Sequence, residues 1–141
     1  MMRRNKPILL IEADPVNTNN IKGTIEEMGV KSPFVHSDNN EEALNYLRDQ
    51  NNTKPWLILF APNSHGPDGL NFLQTIKTDN DLKIIPVVIL AESNKDHMIA
   101  EGFELGIAGY IVKPRDSSKI TDTIRTIMDY WFLSELPPAK V

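Results

Sequence analysis

Five short runs of aliphatic and β-branched residues, at 8–11, 32–36, 56–60, 86–90 and 110–112, alternate with segments whose apolar residues recur at helical spacing. This alternation constrains the fold more than any other feature of the chain. Parallel strands joined by helical crossovers bury both kinds of segment at once, and they require helices on both faces of the sheet. In the first helical segment Ile21, Ile25 and Met28 repeat at i, i+4, i+7, and Gly29 is placed to end it. Ala43, Leu44 and Leu47 serve the second; Leu70, Leu73 and Ile76 serve the third, which is entered through the turn Pro67-Asp68-Gly69. The fourth, at 96–105, uses Ile99 and Phe103, is weakened by Gly102 and closes at Gly106. Ile120, Ile124, Ile127 and Trp131 make one stripe on the last.

The first, third and fourth runs are almost continuously hydrophobic, as central strands buried on both sides must be. The second is more polar and belongs towards an edge. The strand order 2-1-3-4-5 follows, with a crevice at the carboxyl ends of the first and third strands. One α/β domain over 6–134 accounts for the chain, with tails at 1–5 and 135–141, because 141 residues suffice for one core.

The strand ends therefore carry the chemistry: Glu12-Ala13-Asp14 after the first, Ala61 after the third, Ala91-Glu92 after the fourth and Lys113-Pro114 after the fifth. The stretches "ILLIEADP", "PWLILFAPNSHGPDG", "IPVVILAES" and "GYIVKP" stand in order at intervals that resemble a response-regulator receiver domain, from about Lys6 to Trp131. The ending "MDYWFLSELPP" further resembles single-domain receivers that accompany bacterial phytochromes. The resemblance implies a flavodoxin-like (βα)5 sandwich and a role in two-component or phosphorelay signalling. It also implies that an aspartate ending the third strand accepts a phosphoryl group from a histidine kinase. Acidic residues after the first strand would hold Mg²⁺, and a hydroxyl after the fourth strand and the lysine of Lys-Pro would bind the phosphoryl oxygens. A carboxylate attacking a phosphoryl anion needs this neutralising charge in the transition state.

Aligned on these motifs, the phosphoacceptor position is Ala61, the more directly metal-bound acidic position is Ala13, and the hydroxyl position is Ala91. Glu12, Asp14, Lys113, the Asn63 position whose carbonyl helps ligate metal, and the aromatic switch position Tyr110 are kept. A methyl group cannot form an acyl phosphate. The expectation is a degenerate receiver without enzymatic activity, in which Lys113 pairs with Glu12. No cofactor is expected, and weak Mg²⁺ binding at Glu12 and Asp14 is the most that this ligand set offers. Asp14 also precedes Pro15, where capping a helix explains it equally well.

Two alternatives stay open. Ser64, His65 or Asp68 could accept a phosphoryl group in place of position 61, although turn formation accounts for all three. A small ligand could occupy the crevice as in a flavodoxin, although the first turn, "EADPVNTNN", lacks a glycine-rich phosphate cradle.

For partners, the last helix carries a second stripe, Met128 and Phe132, extended by Leu133 and Leu136. That width leaves two readings: a protein interface, including a homodimer through the fourth helix, fifth strand and fifth helix, or a helix wrapping its own sheet edge. The other expected partner is a histidine kinase or another signalling protein. The formal net charge of -4 argues against nucleic acid, and the basic Arg3, Arg4 and Lys6 read as a solvated tail. No run is long enough to cross a membrane or serve as a signal peptide, and the absence of cysteine suits a reducing cytoplasm. His36, His65 and His97 lack metal-ligand spacing. Trp56, before the third strand, reads as cover for a sheet edge.

Overall fold

A computed structural model describes residues 5–62 and 68–137. Its elements run β1 (Ile8–Ile11), α1 (Pro15–Glu27), β2 (Phe34–Ser37), α2 (Asn40–Arg48), β3 (Leu57–Phe60), α3 (Asp68–Thr78), β4 (Val87–Ala91), α4 (Asp96–Glu104), β5 (Gly109–Val112) and α5 (Ile120–Leu133). All strand pairs are parallel and the order is β2-β1-β3-β4-β5, the flavodoxin-like arrangement that the alternation predicts. The half-polar run is an edge strand: β2 starts at Phe34, two residues into the expected run at 32–36, and ends on the buried Ser37.

Side-chain alternation along the strands divides the core into two layers. Ile8, Leu10, Leu57, Leu59, Val88 and Leu90 pack with Ile21 and Ile25 of α1 and Ile120, Ile124 and Ile127 of α5. Leu9, Ile11, Ile58, Phe60, Val87 and Ile89 face the other way, against Ala43 and Leu47 of α2 and Phe72, Leu73 and Ile76 of α3. A fully buried aliphatic side chain contributes about 1.5–3 kcal/mol, and the three central strands are buried along their whole length.

Local signals hold the helices in register with this sheet. Asp14 caps α1, its Oδ1 accepting the Val16 N–H at 2.9 Å, with Pro15 next in line. Asn39 caps α2 through the Glu42 N–H, also at 2.9 Å. Gly29 (φ 74°) and Gly106 (φ 94°) take the left-handed conformation just past α1 and α4, which favours glycine.

Four expectations change. Trp56 covers no edge: it precedes β3, the middle strand, is buried, donates its indole N–H to Ser32 Oγ at 3.0 Å and meets the Phe132 ring at 5.6 Å. Phe103 is not core but about half exposed, because α4 turns Gly102 to the sheet instead. A Cβ at Gly102 would lie 2.8 Å from Ile107 Cδ1. The missing side chain is thus what lets α4 approach. Met128 is fully buried among the α1–α5 core residues, so it is no docking residue, and that part of the wide stripe wraps the domain's own core. Leu136, assigned to a tail, is buried in the same layer. Among the described residues no helix is long and apolar enough to cross a membrane.

Candidate functional site

The ladder hydrogen bonds continue past the strand ends and bring four positions to one edge of the sheet. The Ala61 N–H donates to Ile11 O at 2.9 Å, the Glu12 N–H to Ser37 O at 3.1 Å, and the Lys113 N–H to Ala91 O at 2.7 Å. Glu12, Ala61 and Ala91 are all buried. Ala61 packs with the α1–α5 layer, Ala91 with the α2–α3 layer. Ala13 and Ala61 line one cavity of about 670 Å³, walled by Asn39 before α2, Asn45 of α2, and Asn71 and Thr75 of α3. Lys113 lines a neighbouring one of about 220 Å³ with Asn17 and Glu92.

Lys113 and Glu12 are the charged centre of this edge. Lys113 Nζ donates to Glu12 Oε1 at 3.2 Å, with side-chain exposures of only 10% and 6%. Glu92 Oε1 stands 3.7 Å from the same ammonium on its solvent side. The other oxygen of Glu12, Oε2, accepts the Asp14 N–H at 3.4 Å. Both oxygens of Glu12 are therefore engaged, and the expected pair forms.

Two supporting contacts have no signal in the sequence. His36 Nε2 lies 2.8 Å from the Glu12 carbonyl oxygen, 3.3 Å from Thr18 Oγ1 and 3.4 Å from Asp38 Oδ1, tying β2 to the turn that carries Glu12. Glu92 became a partner of Lys113 only because β4 and β5 are neighbours. A pairwise register between distant segments is the one kind of information that local spacing lacks.

Among the described residues, the donors present do not fit a Mg²⁺ site. Magnesium takes one or two carboxylates free to approach it. Glu12 is committed to Lys113, the carboxylate of Asp14 caps α1, and positions 13 and 61 offer methyl groups. Among the described residues no three His, Asp or Glu side chains gather as metal ligands. Asn63, Ser64 and His65 lie outside the described residues, and so does the side chain of Asp68.

At the same end of the sheet, the Tyr110 hydroxyl donates to the Ser93 carbonyl at 2.8 Å, fixing β5 to the loop that follows β4. Burial raises the pKa of this phenol. Phe132 packs on Trp56, while Tyr130 and Leu133 of the same helix end point to solvent, Leu133 with 85% of its surface exposed.

Residues 8–125 match the response regulator receiver domain family. Response regulator Rcp1 of Synechocystis sp. is 27% identical over 138 residues, 95% of this chain and 94% of that protein. Chemotaxis protein CheY of Pseudomonas aeruginosa is 25% identical over 122 residues, 86% of this chain and 95% of that protein. Among solved structures, the Mn²⁺-bound form of Rcp1 superposes with a TM-score of 0.87 at 27% identity, covering 94% of this chain and 99% of that one. The phosphorylated cyanobacterial phytochrome response regulator RcpA does so with a TM-score of 0.87 at 30% identity, covering 95% and 99%. The likeness to phytochrome-associated receivers thus spans the whole domain, and this chain belongs to the response regulator receiver domain family of two-component signalling.

Proposed function

We propose that this receiver domain takes no phosphoryl group at position 61 and signals through protein binding alone. The observation that carries this reading is the buried ion pair of Lys113 and Glu12 at a strand edge whose positions 13, 61 and 91 are alanine. Phosphoryl transfer to a carboxylate needs the nucleophile, a metal and a cation together. Here the nucleophile is a methyl group, the metal donors are committed, and the cation already has an internal counter-charge. Without a hydroxyl at position 91, nothing couples charge in the pocket to Tyr110, whose bond to Ser93 holds β5 in one arrangement.

The partner is a histidine kinase or another signalling protein, bound on the face formed by α4, β5 and α5. Phe103, Val112 and Tyr130 expose apolar surface on these three elements. Self-association belongs at the end of α5, with Tyr130 and Leu133 in place of Met128.

Intact mass measured after incubation with acetyl phosphate and Mg²⁺ tests the first half: no phosphoryl adduct is expected. An adduct mapped to Ser64, His65 or Asp68 would establish a phospho-switched regulator with a displaced acceptor. For the second half, sedimentation of the wild type and of Tyr130→Glu/Leu133→Glu reads self-association directly. A dimer unaffected by the double substitution would move the interface elsewhere.

A further inference from the structure

At the end of the sheet opposite Lys113 lies a hollow of about 280 Å³ between the amino ends of β1, β3 and β4 and the chain that follows α5. Its apolar wall is made by Trp56, Ile84, Ile85, Pro86 and Leu136. Among the described residues of the lining, Lys6 and Lys54 stand against one carboxylate, Asp81. Lys54 gives one hydrogen bond to the Leu47 carbonyl at 3.3 Å, which leaves an ammonium with three protons two more to donate. Trp56 has its indole N–H engaged by Ser32 and so contributes an apolar ring surface. The receiver chemistry at the opposite strand ends uses none of these residues.

We infer that this hollow binds a small carboxylate with an aromatic or short aliphatic body. Concave sites that are mostly apolar with a few placed polar groups are the common form of a small-molecule pocket, and their volumes begin at about 300 Å³. The volume therefore admits a single ring or a short chain and excludes a nucleotide. Two lysines against one aspartate favour a singly charged anion, its body on the wall and its carboxylate at the rim. Such a ligand would touch Leu136, and Trp56 carries the contact to Phe132 of α5. Occupancy would thus reach the exposed end of α5 from the side of the sheet away from position 61. The inference is independent of whether position 61 or its neighbours can be phosphorylated.

The test is a titration of the full ¹⁵N-labelled chain with para-toluate, followed by ¹H–¹⁵N spectra, with the neutral para-toluamide as comparison. The expected result is saturable shifts centred on the Trp56 indole N–H and the amides of Ile85 and Leu136. Lys6→Gln/Lys54→Gln, a variant whose spectrum reports that the fold is intact, should weaken para-toluate at least about fivefold and leave para-toluamide unchanged. The inference is overturned if shifts fail to saturate by about 10 mM, if they map away from these residues, or if acid and amide bind alike.

Discussion

The ammonium of Lys113 lies 3.2 Å from the Glu12 carboxylate, and both side chains are almost wholly withdrawn from solvent. A pair of this kind adds little over two apolar residues, yet breaking it strands a buried charge at a cost of about 3–5 kcal/mol. Lys113→Met should therefore lower stability by roughly 3 kcal/mol. Glu12→Gln should cost less, because Glu92 is 3.7 Å from the ammonium and can take over part of the charge. In the Glu12→Gln/Lys113→Met double variant most of the loss should return. Chemical denaturation of the four proteins gives the coupling directly, and strict additivity would mean that the two groups do not interact.

Restoring the aspartate alone should not restore phosphotransfer. Ala61→Asp places a carboxylate near Glu12 and competes for Lys113, while position 13 still offers no metal ligand. Expected is no phosphoryl adduct with acetyl phosphate and Mg²⁺ for Ala61→Asp, and a measurable adduct for Ala13→Asp/Ala61→Asp. Labelling of the single variant at the rate of the double one would show that Glu12 and Asp14 hold metal unaided.

Stability should rise between about pH 8 and the pH at which free lysine titrates. Lys77 donates to the carbonyls of Ile85 (2.8 Å) and Lys83 (3.1 Å), and burial lowers its pKa from 10.5 to about 8. Above pH 8 the folded chain releases this proton while the unfolded chain keeps it, so the unfolded state binds more protons and loses ground as pH increases. The raised phenol pKa values of Tyr46 and Tyr110 oppose the trend at its upper end. Thermal melts across this range should show the rise in the wild type and its absence in Lys77→Met.

Gly102→Ala should destabilise despite the better helix propensity of alanine. The added methyl meets Ile107 Cδ1 at 2.8 Å and Ile89 Cδ1 at 3.6 Å. Overpacking costs about 1–3 kcal/mol against a propensity gain of about 1 kcal/mol, so a net loss of roughly 1 kcal/mol is expected. In an Ile107→Val background, which removes the offending atom, the same substitution should become neutral or stabilising. Denaturation midpoints of the three variants decide it.

Sequence alone determined the alternating architecture, the helix ends at Gly29 and Gly106 and the three alanines at the strand ends, because each depends on residues close together in the chain; the strand order followed from which runs are apolar throughout and which is half polar. The Asp14 cap was legible for the same reason: cap, proline and helix are adjacent. What only the tertiary structure decided are relations between distant segments. Met128 and Phe132 share one stripe in any helical projection, and only the packing of α5 on α1 and the sheet buries one completely and sets the other against Trp56. Phe103 and Gly102 compete for the inner face of α4, and the closeness of Ile107 awards it to the residue without a side chain. Glu92 beside Lys113, and His36 beside the Glu12 carbonyl, exist because parallel pairing lays particular strand ends next to each other. Periodicity specifies which face of an element is apolar; which neighbour covers it depends on how closely the elements can approach.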